Sequence, residues 1–141
     1  MMTRKPEEVL DALKKAESIV LISHISPDGD TIGSGLALRL GLEQLGKKVV
    51  SVCSDPVPGS LMMLAEADCF VVPEAIAEGS RFDLVMAVDC GDLSRTGTGS
   101  RLFAMGCDTA QVDHHGTNPG YTAHNDVDGT APAWHCWCMA I

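Results

Sequence analysis

Short apolar runs alternate along the chain with segments whose apolar residues recur at helical spacing. Pro6 suits a first helical turn. Val9, Leu10, Leu13 and Ala16 then share one face, and Lys14 and Lys15 lie toward the end where the helix dipole favours cations. The run Ser18–Ser23 (SIVLIS) is short and apolar throughout, which predicts a buried strand. Ser26-Pro27-Asp28-Gly29-Asp30 breaks it, because Pro and Gly punctuate. A second helix is predicted over 31–45, with Ile32, Leu36 and Leu40 marking successive turns and Gly46 as the residue that ends it. Further strands are predicted over 48–53, 69–72, 83–88 and 109–112, and a short helix over 60–67. Thr96-Gly97-Thr98-Gly99-Ser100 reads as a flexible loop.

Strands apolar on both sides, alternating with helices, predict an α/β fold with a parallel sheet and helices on both faces. A length of 141 residues fits one domain. With 45% hydrophobic and 21% charged residues, the composition is globular and excludes a disordered, collagen-like or coiled-coil chain. The net charge of −9 offers no general footprint for a nucleic-acid backbone. An anionic substrate therefore needs local positive charge, from arginines or from metal ions. No apolar run approaches the roughly 20 residues of a membrane span, and no apolar segment of a signal peptide follows Met1. None of the six cysteines forms a Cys-x-x-Cys pair, so they read as thiols in a reducing compartment, and the expected location is the cytoplasm.

In open α/β sheets, ligands bind where loops leave the carboxyl ends of strands. Three such ends here carry the same residue types. His24, Asp28 and Asp30 follow the first strand, Asp89 and Asp92 follow the 83–88 strand, and Asp113, His114 and His115 follow the 109–112 strand. Crowded carboxylates repel and raise one another's pKa, and divalent ions relieve that repulsion. Mixed His and Asp donors suit Mn, Fe, Zn or Co better than Ca. A shared carboxylate can bridge two ions, as in two-metal phosphoryl-transfer sites. Other motifs fail. Ile32 and Arg39 occupy ligand positions of an EF-hand loop, and Leu38 stands where a dinucleotide fingerprint needs its third glycine.

Three stretches together resemble the DHH phosphoesterase superfamily. They are Ser23-His24-Ile25-Ser26-Pro27-Asp28-Gly29-Asp30, Val88-Asp89-Cys90-Gly91-Asp92 and Val112-Asp113-His114-His115. Asp30-Thr31-Ile32-Gly33-Ser34 and His115-Gly116-Thr117-Asn118 are most similar to the bacterial oligoribonucleases that also dephosphorylate adenosine 3′,5′-bisphosphate (pAp). The resemblance covers residues 8–131, leaving 132–141 as an atypical tail. It implies two divalent ions, typically manganese. His24, Asp28 and Asp89 would hold one; Asp30, Asp89 and His114 would hold the other. Asp113 would orient His114, His115 would face the substrate phosphate, and Arg95 would contact phosphate or brace its loop.

Two features of that family are missing. Its members carry a further metal-binding Asp and a second, smaller domain, and only 26 residues follow His115 here. From Trp134 onward the likeness stops, and Trp-His-Cys-Trp-Cys has poor helix propensity where a helix is expected. The ending reads as truncated or frame-shifted; a natural variant ending and a partner chain that completes the site are the alternatives. The expected function is metal-dependent hydrolysis of phosphate esters in short oligoribonucleotides or pAp, weak in this chain alone. A family II inorganic pyrophosphatase and a non-catalytic metal-binding fragment are the rival readings. Exposed apolar surface favours self-association, in its simplest form a homodimer, and no membrane partner is expected.

Overall fold

The computed structural model describes residues 3–131. The tail from Pro132 to Ile141, with its two tryptophans, lies outside the described residues. Strand β1 (Thr3–Arg4) leads into helix α1 (Pro6–Lys15), strand β2 (Ser18–Ser23), helix α2 (Gly29–Gln44) and strand β3 (Lys48–Cys53). Strands β4 (Leu84–Val88), β5 (Asp108–Asp113) and β6 (His124–Val127) follow. They form one sheet in the order β1-β6-β5-β4-β2-β3. Five strands run parallel, and β1 closes one edge antiparallel to β6.

Alternation along β2 divides the core. Ile19 and Leu21 face α1 and α2, packing with Val9, Leu13, Leu38, Leu42, Met86 and Val112. Val20 and Ile22 face the other way, onto Val52, Ile76, Val85 and Leu102. That second face is covered by 3-10 turns rather than α-helices, chiefly Leu93–Ala104. Helix α2 is buried on two sides, because Ile32 and Leu36 also pack on Ala67, with Leu61 and Phe70 against them. It ends as the sequence predicts, with Gly46 left-handed at φ 80° just beyond Leu45.

Three local expectations need correction, and one strand, β6, goes unannounced by the sequence. Residues 60–67 make 3-10 turns, Gly59–Leu61 and the start of Ala67–Cys69, instead of a helix; Glu66 at φ 63° breaks the path. Residues 69–72 give a single parallel bridge, Val52 to Val71, because Pro73 then tightens the chain into another turn. Thr96 to Ser100 lie within the kinked 3-10 segment Leu93–Ala104, not in a free loop. Strand β6 has no apolar signal, since three of its four residues are polar. Arg4 holds its outer side by ion pairs to Asp126 at 2.8 Å and Asp128 at 2.6 Å.

The kink at Gly97 presses on the site loop. Its backbone at φ 60°, ψ −136° suits glycine alone, and an added Cβ would meet Ser54 Oγ at 2.5 Å and Ile25 Cγ2 at 2.8 Å. Gly97→Ala should therefore lose about 1–3 kcal/mol, read as a lower urea midpoint at unchanged slope. A wild-type midpoint would mean that this loop yields freely.

Candidate metal centre

The register of three strands sets the site. Ser23 pairs with Val88, and Val88 pairs with Val112. Strands β2, β4 and β5 thus release the chain at one level, where His24, Asp89 and Asp113 stand. Asp28 caps α2 by accepting from the Thr31 amide at 3.0 Å, and Asp30 lies in that helix's first turn. Thr31 ties the helix end to the sheet by donating to the Val88 carbonyl at 2.8 Å.

Asp89 is central. It is 2% exposed and left-handed at φ 62°, a conformation that costs a non-glycine residue about 1–3 kcal/mol. One oxygen, Oδ2, lies 3.7 Å from His24 Nε2, which is 3.5 Å from Asp28 Oδ1. The other, Oδ1, lies 2.8 Å from His114 Nε2, which is 3.2 Å from Asp30 Oδ2. Each oxygen of one buried carboxylate therefore faces its own histidine–aspartate pair. Oδ1 nevertheless makes no hydrogen bond among the described residues. Burial first, and then the charge of Asp30, push the Asp89 carboxyl up to about 6; His114 and His115 pull the other way.

His24 Nδ1 lies 2.6 Å from the Ile25 carbonyl, which can only accept. The proton of a neutral ring therefore sits on Nδ1, and the Nε2 lone pair faces Asp28 and Asp89. Lone pair against carboxylate is repulsive until a cation lies between them. An orphaned buried oxygen and a set of imidazole nitrogens and carboxylates both fit a divalent ion. Two groups bring one donor atom each within 4.8 Å of all the others: His24, Asp28 and Asp89, and Asp89 with Asp113, His114 and His115. Asp89 is common to both.

One orientation differs from the sequence reading. Asp113 Oδ1 lies 2.6 Å from His115 Nδ1, so Asp113 holds His115 rather than His114. Burial opposes an imidazolium at His115, but the hydrogen bond and charge of Asp113, helped by Asp89, outweigh it and raise its pKa. Gly91 leaves room for that ring, since a Cβ there would stand 3.4 Å from His115 Cγ. Arg95 Nη2 donates to the Ile25 carbonyl at 3.5 Å, and the Ile25 amide donates to the Arg95 carbonyl at 2.8 Å, so Arg95 braces the His24 loop. Asp92 stands outside these groups and caps the 3-10 segment by accepting from the Arg95 amide. Cys53 and Cys90 are buried thiols near the site, while Cys69 and Cys107 are half-buried.

The sequence pattern passes over Gln111 and Tyr121, and shows Thr31 and Asn118 only as parts of motifs. These groups are buried or half-buried and polar, and isolated polar residues carry no periodic signal. Asn118 Nδ2 donates to Asp113 Oδ2 at 2.7 Å and to Gln111 Oε1 at 2.6 Å. Tyr121 donates its hydroxyl to the Cys90 carbonyl at 2.9 Å.

The sequence profile of the DHH family, N-terminal domain, matches residues 18–138. The chain belongs to the DHH family. It is 34% identical over 128 residues to the bifunctional oligoribonuclease and PAP phosphatase NrnA of Thermus thermophilus, covering 89% of this chain and 36% of that protein. This DHH chain thus spans little more than a third of the length of that relative. Its fold is similar to the crystal structure of an exopolyphosphatase-related protein from Bacteroides fragilis, with a TM-score of 0.86 at 21% identity, over 96% of this chain and 42% of that one. No helix among the described residues is long and apolar enough to cross a membrane.

The raised Asp89 carboxyl makes a signed prediction. Its native pKa of about 6 exceeds the usual unfolded value near 3.9. This group's contribution to metal-free stability is thus full below about pH 4 and is lost as pH rises through 6. Asp89→Asn should stabilise the metal-free protein at pH 7.5, on the order of 2 kcal/mol, and flatten that pH dependence. It should also abolish any rise in melting temperature caused by manganese. Thermal melts from pH 4 to 8 check both, and an unchanged manganese effect in the variant would remove Asp89 from the metal site.

Proposed function

We propose that this chain carries the metal-binding catalytic half of a phosphoesterase, acting on short oligoribonucleotides and on pAp. The observation that supports this most is the two-sided environment of Asp89, with His24 and Asp28 at one oxygen and His114 and Asp30 at the other. The activity named for the Thermus relative points to the same substrates. His24, Asp28 and Asp89 would hold one ion, Asp30, Asp89 and His114 the second, and manganese suits both donor sets. When bound, such ions offset phosphoryl charge and acidify water enough to give a nucleophile near neutral pH.

The remaining chemistry belongs to the chain. Asp113 fixes the His115 ring through Nδ1 and leaves Nε2 outside that bond. The ring is 46% exposed, so a phosphate ester can reach it. Its raised pKa favours the imidazolium, which can donate to a phosphoryl oxygen as charge builds there. Arg95 steadies the His24 loop and adds positive charge on that side. Local cations of this kind let a chain of net charge −9 take an anionic substrate.

Manganese-dependent phosphate release from pAp, or cleavage of a diribonucleotide, should exceed that of the Asp89→Asn variant at least a hundredfold. His115→Ala should lower turnover about 10²–10³-fold while calorimetry shows manganese affinity within a factor of three of wild type. No manganese-dependent hydrolysis of either substrate, with no manganese-dependent binding of pAp, would contradict the proposed function.

A further inference from the structure

Asp89 and His115 serve different ends of the proposed chemistry, and one amide touches the supports of both. Asn118 is 2% exposed and fully engaged. Its Nδ2 donates to Asp113 Oδ2 at 2.7 Å and to Gln111 Oε1 at 2.6 Å, and reaches the Cys90 carbonyl at 3.4 Å. Its Oδ1 accepts from the Gly120 amide at 2.8 Å and from Gln111 Nε2 at 3.2 Å. We infer that Asn118, assisted by Tyr121, is a positioning residue that sets the bridging carboxylate of Asp89 and the ring of His115 together. The inference rests on the metal-site reading above for its functional consequence, but not for its geometry.

The His115 side depends on the division of one carboxylate. Asp113 Oδ2 is taken by Asn118, which leaves Oδ1 aimed at His115 Nδ1 at 2.6 Å. Without the amide, Asp113 Oδ2 loses its donor, and the orientation that gives His115 a fixed acceptor is held by one contact fewer. The Asp89 side depends on the backbone. The Asp89 amide donates to the Val112 carbonyl at 3.0 Å, which anchors the peptide before the left-handed residue. After it, the Cys90 carbonyl accepts from Tyr121 at 2.9 Å and from the longer Asn118 contact. A strained residue persists only when its surroundings over-determine it. Tyr121 is itself set by an edge-on contact with Phe103, with ring centroids 6.1 Å apart. The carboxylate angle of Asp89 is thus held from β5 on one side and from residues 118–121 on the other.

Asn118→Ala and Tyr121→Phe separate the two arms. In metal-free wild-type protein, proton NMR should show a slowly exchanging, far-downfield His115 Nδ1–H signal. Asn118→Ala should abolish it, and Tyr121→Phe should keep it. Manganese affinity by calorimetry should fall about 10–100-fold in Asn118→Ala, the usual cost of losing a group that orients ligands, and less in Tyr121→Phe. Leu13→Ala, a core substitution on α1 away from the site, controls for stability: it should lower the melting temperature and leave both readouts at wild-type values. A retained His115 signal in Asn118→Ala would overturn the His115 arm, and unchanged manganese affinity would overturn the Asp89 arm. If Asn118→Ala does not fold, a lost His115 signal or unchanged affinity in Tyr121→Phe overturns the division of labour. If wild type binds no manganese, the metal reading fails, and the NMR comparison still decides the positioning of His115.

Discussion

Asp89 places a carboxylate where water cannot reach it and where Asp30 repels it. It stands at the end of β4, a central strand whose residues Leu84–Val88 are all buried. Its backbone is strained as well. A group like this costs stability unless a proton or a cation neutralises it. Much of the surrounding structure follows from that constraint. The strands end in register, α2 is capped at the same edge, and histidines arrive at both oxygens. Stability is given up at a point where a bound divalent ion would restore it, as functional sites commonly require.

The two histidine arrangements around Asp89 have different chemical characters. His24 is tautomerically fixed by a backbone carbonyl and offers a lone pair inward. His115 is fixed by a carboxylate, which favours the charged ring, and it stays open to solvent. One suits holding a cation and the other suits meeting an anion. Under the proposed function, this division lets a chain of net charge −9 meet a phosphorylated substrate, with positive charge only where the phosphate would land.

The parallel sheet was legible in the sequence because Ser18–Ser23, Lys48–Cys53 and the 83–88 run are apolar on both sides, which only a doubly covered strand requires. Helix α1 was legible through its single apolar face, and the end of α2 through Gly46. Strand β6 was not. Its Asn125 and Asp126 are satisfied by Gln111 and Arg4, partners more than ten residues away that no local pattern announces. The residues of the acid and histidine cluster stood out because each follows a strand end. The exchange of partners at Asp113 did not, because it depends on which side of the chain each residue faces after β5 ends. Asn118 was visible as part of a motif, yet its reach to Cys90 and Asp113 exists only once β4 and β5 are paired.

Asp89 is proposed to bridge two cations. A crystal of this chain grown with manganese, measured with anomalous scattering at the manganese edge, tests that directly. Two anomalous peaks are expected, roughly 3.5–4 Å apart, one between His24, Asp28 and Asp89 Oδ2 and the other between Asp30, His114 and Asp89 Oδ1. A single peak, or peaks that avoid Asp89, would contradict it.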